Sequence, residues 1–429
     1  MNKVLIICTN FLPVRNGGTI RCEKLVKYLP YYNWNSVILT KSNNITNNNF
    51  DVINSTKVFR SRKFDLISFL FNIKIYLTHF FNNLQKINTP KKIENKTTSV
   101  KRRISDYFLI PDVDIFWALG AFFKGVLILK KEKPDVILSS GPNHSVHILG
   151  LFLKKIFGTY WVVEFRDPWT MNPFRIEKPF KILIYLDNYL EKIVLKNSDR
   201  INVTSIEYKN QFLEKYHFLN DDKIVNIPNG FDPEDFDILP STSNEVLTIV
   251  HSGNFYLQRS SVKFINAVIY LIDKNMISES EILIKFIGQL DDAGKDLIIK
   301  SGYENSFSIT GTVDFDKSIM EIKNADILLL IPGPGSGTMP GKFYEYLAAK
   351  KPIFCISKEG PPKKIIQDFD LGIVSNDFDI TTIANNLNDL ILRVVNNNFL
   401  YPDTTDLMNK FNRKYIAKNM ASIFNKCYD

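Results

Sequence analysis

The chain has 429 residues, too many for one hydrophobic core and enough for two domains of about 200 residues each. Its 45% hydrophobic and 23% charged residues exclude a disordered or fibrous chain. A net charge of +9 directs attention to anionic partners, with a membrane surface or a phosphorylated substrate ahead of nucleic acid, for which no groove-reading motif is present.

The opening "MNKVLIICTN" holds an apolar run too short for a signal-peptide core and reads as a first buried strand. No window of about 20 uninterrupted apolar residues occurs, so no transmembrane helix is expected. Cys8, Cys22, Cys355 and Cys427 are far apart and lack metal-ligand spacing, which fits a reducing compartment and no zinc site. After the first strand, "TNFLPVRNGGTIR" places Gly17 and Gly18 at the start of a predicted helix, where a backbone can come close to an anion; a plain turn is the alternative. "NSVILT" is the next strand, and the Asn-rich 42–49 a loop.

Residues 57–110 interrupt the rhythm. The aromatic-rich "FDLISFLFNIKIYLTHFFNNL" precedes the basic "TPKKIENKTTSVKRR", a pairing that suits either an interfacial membrane contact or a helical pair with a solvated loop.

"DVILSS", "YWVVEF" and "RINVTS" then read as buried parallel strands, with amphipathic helices between them. The loop "SSGPNHSVH" sets His144 and His147 near a helix start, open to a polar role, to packing or to a metal, although no third ligand accompanies them. In "VVEFRDPWT" the strand ends in Glu164, Arg166 and Asp167. Charges at a strand end beside a proline turn are rarely needed for packing. Arg166 suits a phosphate or carboxylate, and Asp167 can orient a hydroxyl or Arg166 itself.

After a polar linker near 232–245 the alternation restarts with "VLTIVHSG", "EILIKFIG", "FSITGTV", "ADILLLIP" and "KPIFCIS". The pattern predicts an α/β protein of two doubly wound, Rossmann-like domains facing a cleft. The first is expected over 1–235 with a helical and basic insertion near 57–110, the second over 245–405, with 406–429 forming helices that return toward the first. In the second domain Gly253 ends a strand and Arg259 stands near the following helix, where a cation can lean toward a leaving phosphate. The glycine-rich "IPGPGSGTMPGKFYEYLAAKKPI" is not a P-loop: Ser336 stands where the first glycine belongs, and Phe343 where a magnesium-binding hydroxyl does. Its turn still feeds a helix mouth suited to an anion, with Lys342 at the mouth and Glu345 one turn in.

Taken together, "PGKFYEYLAAKKPI", "SGNFYLQR", "NIPNGFD", "ITGTVDFDKSIMEIKNADILLLI" and "FLPVRNGGTIR", with "SSGPNHSVHILGLFLKKIFGTYWVVEFRDPW", resemble GT-B fold glycosyltransferases of family 4, in the subgroup with an Arg-Asp-Pro-Trp signature. The resemblance covers nearly the whole chain apart from 42–115. It implies transfer of a sugar, with retention, from a nucleotide diphosphate-sugar to a glycan or lipid-linked acceptor, without a cofactor or metal. The setting it implies is cell-surface polysaccharide synthesis (lipopolysaccharide or capsule); the apolar and basic residues 57–110, as a peripheral contact, add the cytoplasmic membrane face. By the same resemblance Glu345 binds the donor ribose and Arg259 neutralises the diphosphate. The backbone at Met339, Gly341 and Lys342 meets the phosphates, Gly17, Gly18 and Gly253 line the same anion, and Thr310 and Gly311 lie near the base. Arg166, Asp167 and His144 fall on the acceptor side. The sequence departs from the family at Gly337, where a sugar-binding glutamate is expected, at Asn254, where a basic residue is, and at Arg166, which replaces a histidine. A nucleotide-sugar epimerase of the same fold, or a non-catalytic relative, is the alternative.

Overall fold

The computed structural model describes the chain apart from residues 15–16, 43–49, 54–55, 63–106, 173–174, 176–177, 238–245, 256–258, 334–338, 377–378 and 429. The chain divides into two compact units. One comprises Met1–Val203, Phe212–Val225 and Ala421–Asp429; the other comprises Thr204–Gln211 and Asn226–Met420.

The first unit contains β1 (Asn2–Ile7), α1 (Gly17–Tyr28), β2 (Trp34–Lys41), β3 (Phe50–Ile53), β4 (Thr56–Ser61), α2 (Ile115–Glu132), β5 (Val136–Gly141), α3 (Ser145–Phe157), β6 (Tyr160–Phe165), α4 (Lys181–Asn197) and β7 (Arg200–Val203). After α5 (Ile206–Lys215), β8 (Ile224–Asn226) closes the sheet, whose order is β3-β4-β2-β1-β5-β6-β7-β8. β4, β2, β1, β5, β6 and β7 run parallel, and β3 is antiparallel to β4. Residues 57–61, the head of the expected insertion, are therefore a sheet strand. "TKVFRS" alternates weakly because Arg60 takes an inward position, and that hides it from a hydrophobic pattern. The rest of the insertion, 63–106, and the Asn-rich loop at 43–49 lie outside the described residues.

The second unit is built from β9 (Leu247–Ser252), α6 (Val262–Asp273), β10 (Ile282–Ile287), α7 (Asp292–Ser301), β11 (Phe307–Gly311), α8 (Phe315–Asn324), β12 (Ile327–Leu330), α9 (Gly341–Ala349), β13 (Ile353–Ile356), α10 (Pro361–Asp368), β14 (Gly372–Ser375), α11 (Ile380–Val395) and α12 (Thr405–Phe411); α13 (Arg413–Asn425) ends the chain. The parallel sheet has the order β11-β10-β9-β12-β13-β14. β14 is absent from the predicted strands because its four residues form a half-covered edge.

Strand alternation accounts for the layering. Ile249, Ile327, Leu329 and Phe354 point into one core with Phe264 and Leu387, while Val250, Leu328, Leu330 and Cys355 point into the other with Ile319, Phe343 and Leu347. Side chains one residue apart leave a strand on opposite faces, so continuous apolar runs are buried on both. Each fully buried Leu, Ile or Phe contributes about 1.5–3 kcal/mol.

Candidate functional site

The strand order reverses between β1 and β5 in the first sheet and between β9 and β12 in the second. Ligands of open α/β sheets bind beyond the carboxyl ends of the strands at such a point, because the flanking connections leave on opposite faces and open a crevice. Gly17 and Gly18 follow β1, and His144 follows β5. Gly253 and Arg259 follow β9, while Met339, Gly341, Lys342 and Glu345 follow β12.

In the first unit the loops are tied together by buried charge. Glu164, in β6, is fully buried and accepts from Arg21 Nε and Nη2 at 2.9 and 2.8 Å, from Ser140 Oγ at 2.6 Å and from Asn202 Nδ2 at 2.9 Å. Burial opposes its charge; the Arg21 guanidinium and the donated bonds outweigh it and hold the carboxyl below the usual range. Arg166 donates from Nε to Gly141 O at 2.9 Å and from Nη2 to Pro142 O at 2.7 Å. Its head rests against Gly18, where a Cβ would meet Nη1 at 2.3 Å. The glycine turn after β1 and the loop after β5 are thus joined through one guanidinium. Arg60 adds a bond from Nη2 to Leu12 O at 2.5 Å, which fixes the approach to the same turn.

His144 stacks on Trp169 with the rings 5.2 Å apart and 2° from parallel. Burial, with Arg175 and Arg166 nearby, lowers its pKa to about 3, so it is a neutral ring at physiological pH. His147 shares a hydrogen bond between Nδ1 and Ser139 Oγ at 2.9 Å and belongs to the packed interior under α3. Asp167 has its pKa raised by burial, against the lowering pull of Arg166. The Arg-Asp-Pro-Trp loop is held from below by α4: Trp169 Nε1 donates to Asp187 Oδ1 at 2.7 Å, and Thr170 N to Glu191 Oε1 at 3.0 Å.

In the second unit the turn after β9 is closed by Gly253 N donating to Ile287 O at 2.8 Å and by Asn254 Oδ1 accepting from Gln289 N at 2.8 Å. Gly288, at φ 123°, sits so close that a Cβ would meet Gly253 O at 2.4 Å. Its N–H donates to Gly311 O at 2.8 Å, which brings the end of β11, with Thr310, beside the same turn. α9 begins after Pro340, where a missing N–H costs nothing. Lys342 Nζ lies 2.6 Å from Glu345 Oε2 and 3.4 Å from Ser318 Oγ, and Ser318 is bonded in turn to Ser252 Oγ at 2.9 Å. Tyr346 OH accepts from Ser252 N at 2.8 Å and locks α9 onto the end of β9.

Arg21, Arg60, His251 and Tyr346 are site-building residues that sequence reasoning missed. A lone glutamate inside "YWVVEF" signals a buried cation but does not say which. His251 is buried against Phe255, its rings 4.3 Å apart, with Nδ1 on Leu329 O at 3.0 Å. Burial, and then Arg259 and Lys342, lower its pKa to about 4.

Residues 88–235 match the model of Glycosyltransferase Family 4. An uncharacterized glycosyltransferase of Methanocaldococcus jannaschii is 24% identical over 377 residues, spanning 83% of this chain and 90% of that protein. Among solved structures, sucrose-phosphate synthase of Thermosynechococcus elongatus aligns with a TM-score of 0.67 at 13% identity, over 100% of this chain and 99% of that one. Anabaena HepE in complex with UDP-glucose aligns with a TM-score of 0.62 at 12% identity, over 99% of each chain. The fold is GT-B, and the family-model match together with the archaeal relative marks the chain as a glycosyltransferase.

Proposed function

We propose that the protein is a retaining glycosyltransferase that moves a sugar from a nucleotide diphosphate-sugar to a glycan or lipid-linked acceptor in cell-surface polysaccharide synthesis, at the cytoplasmic membrane face. The observation that carries this reading is the convergence of Gly253, Arg259, Lys342 and Glu345 on the strand ends that flank the switch point of the second sheet. The UDP-glucose bound by the Anabaena protein supports a donor of that class.

When the bond from the anomeric carbon to the diphosphate breaks, the electron pair stays on the diphosphate. Arg259, Lys342 and the first-turn N–H groups of α9 meet that charge. Glu345, oriented by Lys342, takes the ribose hydroxyls, and Thr310 and Gly311 take the base. The acceptor oxygen then bonds the anomeric carbon on the face the diphosphate left, and its proton passes to the departing diphosphate oxygen. Arg166, Asp167 and His144 are assigned to the acceptor, Asp167 orienting its hydroxyl.

The test is a donor-turnover screen over nucleotide sugars with mass detection. Glu345→Ala and Arg259→Ala each lower turnover on the order of 100-fold without loss of circular-dichroism signal. Wild-type turnover in either variant overturns the donor assignment. A rearranged sugar formed without acceptor indicates an epimerase, and failure to bind any nucleoside diphosphate in calorimetry a non-catalytic relative.

A further inference from the structure

In the first unit α2 packs on α3, and α3 on α4, in a continuous layer. A helix that covers a sheet ordinarily shows polar side chains to water. α2 does not. Its outward stripe repeats every fourth residue as Leu119, Phe123 and Leu127 and ends at Lys131, with Phe123 74% exposed. Between α2 and α3 an apolar groove of about 570 Å³ is lined by Leu119, Phe122, Phe123 and Phe152, among others. Ile156 extends the surface along α3, 58% exposed, and α4 adds Ile182 at 60% and Tyr185 at 64%, the latter stacked on Tyr189. An apolar surface spread over three helices is far larger than the scattered exposure normal for a water-facing protein.

The charges of these helices sort by sign. Asp187 and Glu191 are fully buried on the Arg-Asp-Pro-Trp loop, and Glu132 is paired with Lys3 and Lys57. The exposed charges are Lys130, Lys131, Lys155, Lys181, Lys192 and Lys196. Aromatic and aliphatic side chains interspersed with cations alone suit an anionic lipid surface, where the rings enter the headgroup region and the lysines meet the phosphates. A second copy fits less well, because a two-fold contact would set this patch against itself, lysine facing lysine. Among the described residues no helix is long and apolar enough to cross a membrane.

We infer that the outward face of α2, α3 and α4 seats the protein on an anionic lipid bilayer. This deepens the lipid-linked acceptor reading and rests on it for its purpose, but it is tested without donor or acceptor, so the two can fail separately. The full chain is floated with vesicles of phosphatidylcholine alone and of phosphatidylcholine with phosphatidylglycerol. The expected result is binding to the second kind only, weakening as salt rises. Phe123→Ser with Leu127→Ser, and separately Lys155→Glu with Lys192→Glu, lower vesicle affinity about tenfold or more, with unchanged circular dichroism. The inference is overturned if anionic vesicles do not bind, if both double variants bind as well as the parent, or if binding is lost only on deletion of 63–106. It is equally overturned if the patch variants abolish a dimer of the chain and leave vesicle binding intact.

Discussion

Glu164 shows how one side chain organises the loops of the first unit. A carboxylate with no exposed surface survives in β6 because Arg21 bonds it twice and Ser140 and Asn202 complete its shell. Removing the cation alone leaves a buried charge without compensation. Arg21→Met is expected to cost about 3–5 kcal/mol in urea unfolding, and adding Glu164→Leu to recover much of the loss; a single variant as stable as the parent would show Glu164 to be solvated. The histidines give a second residue-scale expectation. His144, His147 and His251 are neutral in the folded chain, their pKa values lowered chiefly by burial. The unfolded chain takes up protons at these positions below about pH 6.5, so stability is full above that pH and falls as pH drops toward 4 for His251 and 3 for His144, by up to about 1.4 kcal/mol per pH unit for each ring. The urea midpoint should be lower at pH 5 than at pH 7. Equal midpoints would mean that the rings are not excluded from water.

At the scale of elements, the switch-point loops were legible where backbone chemistry announces itself. Paired glycines at 17–18, a glycine at 253 and a proline-started helix at 341 are turn and cap signals that read locally. What holds the turns was not legible. Gly18 carries the weight of Arg166 from a loop 148 residues later, and the Gly253 turn depends on Gly288 of the next strand's loop. Gly288→Ala would drive a Cβ into Gly253 O in a conformation that L side chains rarely adopt. It is expected to cost about 1–3 kcal/mol and to weaken nucleoside diphosphate binding in calorimetry. Unchanged binding would detach that turn from the donor. β4 teaches the same lesson in reverse: an arginine in an inward position breaks its pattern, and only the pairing of Val37–Lys41 with Lys57–Ser61 reveals a strand.

At the scale of the whole molecule, the first unit is assembled from three separate stretches of chain, the last being Ala421–Asp429. Phe424 packs on Trp34 with the rings 5.2 Å apart, and Asn425 Oδ1 accepts from Trp34 Nε1 at 2.9 Å. Phe424→Ala should destabilise the first unit by about 3–5 kcal/mol and shift tryptophan emission toward the red; an unchanged melting curve would show that the terminal segment is dispensable. The sequence by itself determined the two-sheet α/β class and the position of the turns, because strand alternation, glycine turns and helix starts are local properties of the chain. The tertiary structure alone decided which cation neutralises Glu164, which carbonyls hold Arg166, and that α2, α3 and α4 turn one apolar, cationic surface outward. Those outcomes depend on which distant segments share a space, and the energy of burying a charge or exposing an aromatic ring is set there.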